Sequence, residues 1–397
     1  MGDMAERLAL SGHEVRVVTA PPYYPEWRIR AGFRGFWYSY EKWRGVSVWR
    51  APLFVPLKPT GLTRLVHLGS FAIASLPLLL RQAFWQPHVV FVVEPPLFCS
   101  PAALVLAKLV GARSWLHVQD FEVDACFELN LLKGDLLKKI VLGFEGWLLS
   151  KFDRVSSIST SMVRLARSKV AGLTEVSALP NWVDLDKIQP LNRPSFFREE
   201  LGIPEHQIVA LYSGNMGVKH GLDTLADAIV LLHEHPNLIF VLSGTGVARE
   251  KLMLRCQGFA NVRFIDLQPE EKLGELLGLA DIHLLPQMAG AADFMLPSKL
   301  TGMLASGRPV VTTALLTTDL GRLVQGLGVV VEPENPKALS VAILELAADA
   351  DRRKRLGSAA RAFAEANLGH ETVLCAFERD LSALVQPRER SNSTASP

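Results

Sequence analysis

Met295–Thr313, MLPSKLTGMLASGRPVVTT, reads as a loop, then a helix, then a buried strand. Pro297 suits the first turn of a helix, where its missing N–H costs nothing. Ser298 and Lys299 follow at once, so a hydroxyl and an ammonium stand beside free backbone N–H groups. A helix start of this kind is a place for a phosphate or another anion. Gly307 stops the helix, and Pro309-Val310-Val311 enters a strand.

Two further segments carry the same design. In Ala210–Leu225, ALYSGNMGVKHGLDTL, an apolar strand runs into Gly214-Asn215-Met216-Gly217 and then a helix. In Phe240–Glu250, FVLSGTGVARE, the turn is Gly244-Thr245-Gly246. Glycines at strand ends let backbone approach a ligand closely. In an open parallel sheet, ligands bind outside the carboxyl ends of the strands. Three such turns in one α/β unit, with Lys219 and Lys299 at hand, describe a site for a nucleotide or its diphosphate.

The rest of the chain alternates strands and helices. Strands are expected at Glu14–Thr19, Val46–Arg50, Val89–Val93, Ser114–Val118 and Arg154–Ile158, with helices such as Gly61–Ala83 and Leu136–Ser150 between them. The second half repeats the alternation from Ile208 to Val331. The pattern predicts two doubly wound α/β domains. Their boundary is expected where proline and polar residues cluster, near Asp184–Arg193.

With 397 residues the chain is long for one domain and comfortable for two. At 49% apolar and 21% charged residues it is globular. Cys99, Cys126, Cys256 and Cys375 are widely spaced, so they signal neither a zinc site nor a disulfide framework. Reduced thiols in the cytoplasm are expected, and no secretory leader is read at MGDMAERLAL. The net charge of +2 is uneven: residues 1–113 hold 13 Lys/Arg against 6 Asp/Glu. A basic, aromatic-rich N-terminal part predicts an anionic partner, such as a membrane surface or a lipid diphosphate. Nucleic acid is not expected, because no binding motif for it occurs. Leu68–Leu80, LGSFAIASLPLLL, falls short of the ~20 residues that span a bilayer. It is expected to be a buried helix, with an interfacial helix as the alternative.

Those three glycine and lysine segments, with Pro180-Asn181-Trp182-Val183-Asp184, resemble retaining glycosyltransferases of the GT-B fold, family 4. More narrowly, TAPPYYPEW (Thr19–Trp27), HVQDFEVDA (His117–Ala125), YSGNMG and PSKLTGMLASGRPVV look like the colanic acid biosynthesis glycosyltransferases of bacteria. The resemblance implies two Rossmann-like domains facing a cleft. Residues 1–186 would form the acceptor-side domain and 187–370 the nucleotide-sugar domain. A helix over 371–387 would cross back, followed by a disordered tail over 388–397. Relatives begin with a strand and a glycine-rich loop; this chain opens inside the following helix, so that first strand is expected to be missing and activity impaired.

The resemblance also implies roles. His117 would contact the donor sugar near the reacting carbon, with Asp120 orienting it; Glu122, Asp124 and Glu128 follow in the same loop. Lys219 and Lys299 would bind the diphosphate and stabilise its departure, completing a catalytic set of His117, Asp120, Lys219 and Lys299. Gly214, Asn215, Gly217, Gly244, Thr245, Gly246, Pro297 and Ser298 would line the donor. The ribose-gripping glutamate pair of relatives falls on Phe294 and Gly302, so Asp293 or Ser298 would take that contact. Tyr23, Tyr24, Glu26 and Trp27 would meet the acceptor, since aromatic faces stack on sugars. Neither a metal nor a cofactor is expected; the partners are a GDP- or UDP-linked sugar and a polyprenyl-diphosphate-linked glycan at the inner face of the plasma membrane. A sugar-nucleotide epimerase of similar fold, or an impaired homologue, are the competing functions. A nicotinamide enzyme is disfavoured, because no G-x-G-x-x-G follows a first strand.

Overall fold

The structure, a computed structural model, describes residues 1–24, 27–57, 61–95, 97–121, 135–217, 220–289 and 296–386. Its chain divides into two units: Met1–Ser157, Val163–Leu179 and Leu374–Pro397 in the first, Ile158–Met162 and Pro180–Val373 in the second. The main crossing at Leu179/Pro180 falls a few residues before the expected boundary.

The first unit opens with helix α1 (Gly2–Leu10), strand β1 (Arg16–Thr19) and the pair β2 (Ser39–Trp43) and β3 (Val46–Arg50). Strand β1 runs parallel to β3, and β2 antiparallel, giving the order β1-β3-β2. Strand β2 was not expected. Its signal was Arg44-Gly45, a two-residue loop with both residues at positive φ, 47° and 84°. That is the tight hairpin turn whose twist suits flanking strands.

Helix α2 (Gly61–Gln82) then leads to β4 (Val89–Glu94), α3 (Ser100–Val110), β5 (Arg113–Val118), α4 (Asp135–Leu149), β6 (Arg154–Ser157), α5 (Thr160–Lys169) and β7 (Glu175–Ala178). These four strands form a separate parallel sheet, β4-β5-β6-β7. The first half therefore builds two sheets where one doubly wound sheet was predicted. The last helix of the chain, which ends at Val385, packs here. Its Phe377 ring meets Phe91 and Trp115 at 5.2 and 5.1 Å, and its Asp380 pairs with Arg154 at 2.9 Å.

Helix α2 corrects an expectation. It is a surface helix: only His67, Ser75, Leu78 and Gln82 among its described side chains are buried. Thr63–Gln82 is long and apolar enough to cross a membrane by length and composition, but α2 packs against α3 and β1 within this unit. Pro77 does not stop it, because the proline lies on the exposed side, where a lost backbone bond is replaced by water.

The second unit is a six-stranded parallel sheet, ordered β10-β9-β8-β11-β12-β13. Its strands are β8 (Ile208–Ser213), β9 (Leu238–Ser243), β10 (Val262–Ile265), β11 (Ile282–Leu285), β12 (Val310–Thr313) and β13 (Gly328–Val331). The helices are α6 (Phe196–Glu200), α7 (Leu222–Leu232), α8 (Arg249–Arg255), α9 (Leu273–Leu279), α10 (Lys299–Ala305), α11 (Asp319–Val324), α12 (Pro336–Ala348), α13 (Ala350–Asn367) and the start of α14 (His370–Val385). Strands β9, β11 and β12 are buried along their whole length, as an apolar run in a sheet covered on both faces requires. Tyr212, Phe240, Leu225 and Ile343 sit in one core cluster; Leu285, Leu300, Met303 and Val310 sit in another. The chain moves outward through β8, β9 and β10, then returns to the far side of β8 as β11. The switch point between β8 and β11 is where an open parallel sheet leaves a crevice for a ligand.

Two buried histidines set an acid limit on the fold. Burial lowers His117 to about 4 and His283 to about 3. A folded pKa below the unfolded value means that the unfolded chain binds more protons, so stability present above pH 6.5 is lost as the pH falls. We expect urea unfolding at pH 7, 6, 5 and 4 to lose roughly 1.4 kcal/mol per pH unit for each histidine. His117→Asn should make the slope shallower, and an unchanged slope would show that His117 titrates normally.

Candidate nucleotide-diphosphate site

Strand β8 ends in Ser213-Gly214-Asn215-Met216-Gly217, beside the end of β9 at Ser243-Gly244-Thr245-Gly246. The two turns are zipped together. Gly214 N–H donates to the Ser243 carbonyl at 3.0 Å, and Met216 N–H donates to the Thr245 carbonyl at 2.8 Å. Glycine is required by this mutual packing. A Cβ at Gly244, where φ is +143°, would lie 1.9 Å from the Gly214 carbonyl oxygen; one at Gly246 would lie 2.6 Å from that of Met216. So Gly244 and Gly246 open space for the neighbouring turn, where the sequence alone had them admitting a ligand. Gly214 differs: the space beside it is filled by Lys299, whose Cδ would be 3.4 Å from a Cβ there.

Lys299 is the first residue of α10. Part of its stem reaches solvent, but its Nζ is buried and has no hydrogen-bond partner among the described residues. The ammonium sits 4.1 Å from the centroid of the Tyr212 ring on β8. The ring face offers a cation–π contact, but no anion. Burial accordingly pulls the Lys299 ammonium down to about 7. Tyr212 is itself fixed: its hydroxyl donates to the Asn215 carbonyl at 2.6 Å. Pro297 and Ser298 precede the helix instead of forming its first turn. Ser298 is the cap residue, and its side chain makes no capping hydrogen bond.

The other strand ends brace this corner. A Cβ at Gly221, φ +60°, would lie 2.9 Å from the Gln287 backbone after β11. Thr313 at the end of β12 bonds both the N–H and the carbonyl of Gln287 at 2.7 Å. Tyr212, Gly221, Gln287 and Thr313 were missed from the sequence; the only advance signal was a glycine just before α7. Lys219, Asp293 and Phe294 lie outside the described residues. Among the described residues no group of three or more His, Cys, Asp or Glu side chains gathers as metal ligands would.

The arrangement can hold an anion: a preorganised, desolvated amine beside a glycine turn at a topological switch point. A family model for the glycosyl transferase 4-like domain matches residues 1–182, and one for glycosyl transferases group 1 matches residues 195–363. The chain is a family 4 glycosyltransferase. Among its relatives is the Escherichia coli protein assigned by name to colanic acid biosynthesis as the glycosyl transferase WcaI, 41% identical over 96% of this chain and 94% of that one. The sucrose-phosphate synthase of Thermosynechococcus elongatus shares the fold with a TM-score of 0.73 and 18% identity, over 96% of this chain and 91% of the other. Anabaena HepE, solved with UDP and glucose, shares it at 0.62 and 15%, over 85% and 86%. The fold is GT-B.

In this glycosyltransferase the N-terminal candidates fall in two places. His117 lies inside the sheet, fully buried, with its Nδ1 2.9 Å from Ser156 Oγ and its Nε2 2.7 Å from Gln119 Nε2. The amide N–H donates to Nε2, so Nδ1 carries the proton and donates to the serine. Both ring nitrogens are thus taken, and Asp120 does not orient the ring as expected. The register causes this: His117 stands opposite Val93 on β4 and Ser156 on β6, in the middle of the sheet. Glu122, Asp124 and Glu128 lie outside the described residues.

The acceptor candidates Tyr23 and Trp27 do come together, with ring centroids 5.8 Å apart. Both pack on His67 of α2, at 4.6 and 5.4 Å. Arg64 adds a guanidinium 5.4 Å from the Trp27 ring. His67 is anchored through Nδ1 to the Phe54 carbonyl. His67 and Arg64 were not foreseen, because in sequence they read only as the polar edge of an apolar run. Tyr24 is exposed, and Glu26 lies outside the described residues.

Proposed function

We propose that the chain transfers a sugar, with retention of configuration, from a GDP- or UDP-linked donor to a lipid-linked glycan in the assembly of a cell-surface polysaccharide of the colanic acid kind. The reaction would run in the cytoplasm at the membrane surface. The observation that carries this reading is the buried Lys299 amine, without a hydrogen-bond partner among the described residues, against Gly214 at the β8/β11 switch point. A departing nucleoside diphosphate builds charge on its oxygens, and a preorganised cation in a desolvated site stabilises that charge most where it develops. Lys219 is the proposed second cation, and the backbone of the Gly214 and Gly244 turns, with Ser298, the donor cradle. No metal is needed in this scheme, since protein cations meet the diphosphate. The aromatic group of Tyr23, Trp27 and His67 supplies faces on which an acceptor sugar stacks. With no protein nucleophile assigned, the leaving diphosphate itself accepts the acceptor's hydroxyl proton on the face it vacates, which preserves the configuration. The same-fold relative solved with UDP and glucose, and the relative named for colanic acid biosynthesis, support the donor class and the pathway.

The test is a transfer assay with a panel of GDP- and UDP-sugars, a polyprenyl-diphosphate-linked acceptor and a chelator present. The product's anomeric configuration is read by NMR. Turnover with retention and no added metal is expected. Dependence on magnesium, or an inverted product, would overturn the scheme.

A further inference from the structure

A cavity of about 320 Å³ opens in the second unit, at the amino end of its sheet. Asp281, just before β11, and Arg308, two residues before β12, line it. The segment around α6 adds Asn192, Arg193, Ser195, Arg198 and Glu205. Asp281 and Gln287 bracket β11 six residues apart, so at about 3.3 Å per residue the cavity lies roughly 20 Å along the strand from the switch point. An open parallel sheet meets its substrate at the carboxyl ends; this cavity is at the other end. Its volume is at the small end of the range for ligand pockets.

Most polar groups in the wall satisfy one another. Arg198 donates to Asp281 at 2.8 Å and to the Pro204 and Gln207 carbonyls at 3.0 and 3.1 Å. Asp281 also accepts from the Val209 N–H at 2.9 Å. Arg193 pairs with Glu275. Ser195 donates to the Glu275 carbonyl at 2.8 Å and caps α6. Three lining side chains are left over: Arg308, Asn192 and Glu205. Arg308 is half-buried, and its Nε is buried with no hydrogen-bond partner among the described residues. No carboxylate among them pairs with its guanidinium. Its charge instead acts on His283, a buried imidazole held neutral, which cannot balance it. A buried donor left without an acceptor carries its full desolvation penalty, and a ligand that accepts from it relieves that cost. Asn192 and Glu205 are exposed at the rim, and neither makes a hydrogen bond or ion pair among the described residues.

We infer that this cavity binds a small phosphate ester that carries hydroxyl groups. Arg308 is the phosphate ligand, because a guanidinium presents its N–H donors in a planar fork that matches phosphate oxygens. Asn192 and Glu205 take the hydroxyls: the amide donates and accepts, and the carboxylate accepts. The pairs Arg198–Asp281 and Arg193–Glu275 cancel within themselves, so Arg308 and Glu205 leave the cavity with no surplus charge. That balance suits one phosphate on a polyol better than a diphosphate. The site therefore differs from the Lys299 corner in both place and chemistry, and the inference stands apart from the proposed function.

The experiment is calorimetric titration of the full chain, with and without UDP, at neutral pH. The probes are inorganic phosphate, glucose, glycerol 3-phosphate, glucose 1-phosphate and glucose 6-phosphate. At least one ester should bind about tenfold more tightly than inorganic phosphate or glucose, the gain expected from two added hydrogen bonds. Arg308→Met should weaken that ester about tenfold or more, the scale of a hydrogen bond to a charged group. N192A/E205A should weaken the ester and leave inorganic phosphate as it was. Should Arg308→Met melt lower than wild type, the rim variant decides, since both its positions are exposed. The inference is overturned if no ester binds at millimolar concentration, if inorganic phosphate binds as well as the best ester, or if both variants bind as wild type does. It is overturned too if UDP competes with the ester, which would put the ester in the donor site. Lys299→Ala should lose UDP and keep the ester. A chain that binds ester but no UDP fails the proposed function alone, and one that binds UDP but no ester fails this inference alone.

Discussion

Nucleoside diphosphate affinity is expected to fall about tenfold for each pH unit above about 7, and Lys299→Ala to abolish that dependence. In the free protein the Lys299 amine is desolvated, faces Tyr212, and meets no anion among the described residues. A bound diphosphate supplies that anion and favours the ammonium form. Above pH 7 the amine must first take up a proton, and this cost grows with pH. The ligand's terminal phosphate, with a second pKa of about 6, is already ionised over this range and does not confuse the reading. The Tyr212 hydroxyl stays protonated, because burial pushes it up.

Calorimetry with UDP and GDP in two buffers of different protonation enthalpy should show uptake of about one proton near pH 8 to 9. Near neutral pH, Lys299→Ala should weaken binding by ~1.5–3 kcal/mol, the range for a hydrogen bond to a charged group. Affinity that is flat with pH, or a mutant that binds as wild type does, would remove Lys299 from the site. The stability sign is opposite. A lysine depressed in the folded state leaves the unfolded chain binding more protons between about 7 and 10.4, so wild-type stability rises with pH over that window. Lys299→Met should therefore melt higher than wild type at pH 7 without ligand, while losing the ligand. Stability lost to serve a binding group is the usual trade at functional sites.

That Lys299 stands at a helix start leading to the strand at Val310 was legible from its place after Pro297-Ser298. That it is buried was not, because burial depends on Tyr212, which lies 87 positions earlier and reads as part of an apolar strand. The parallel sheet of the second unit was legible strand by strand, since fully buried strands write themselves as apolar runs. The first unit was harder. Its strand β2, SYEKW, is exposed along four of its five residues and carries no apolar run. Helix α2 misled for the converse reason: apolar composition reads as core, yet here much of it faces outward. His117 shows the limit of a motif. HVQDF marks the segment, but only pairing with Ser156, set by strand register, decides where the imidazole points.

Gly244→Ala separates two accounts of the glycine turns. If Gly244 admits a ligand, alanine should leave the free protein as stable as before and block binding. The structure requires the reverse order of effects. The new Cβ would sit 1.9 Å from the Gly214 carbonyl oxygen, with 2.9 Å to its carbon, and both are backbone atoms that no rotamer change can move. The φ of +143° is also closed to alanine without strain. The β8 and β9 turns must therefore separate. That breaks the 3.0 and 2.8 Å hydrogen bonds from Gly214 and Met216 and draws Gly214 away from Lys299. A loss of at least about 3 kcal/mol in unfolding free energy is expected, the scale of backbone strain combined with a buried clash. Nucleotide affinity should fall with it, because the cradle is displaced. Gly258→Ala is the control: φ there is +85°, but no atom lies within 4 Å of the added carbon. It should cost only about 1 kcal/mol, from left-handed backbone alone, and leave affinity intact. Urea melts and UDP titration of both variants decide the matter. If Gly244→Ala proves no worse than Gly258→Ala, the two turns are not packed as described, and the corner that positions Lys299 is looser than this geometry requires.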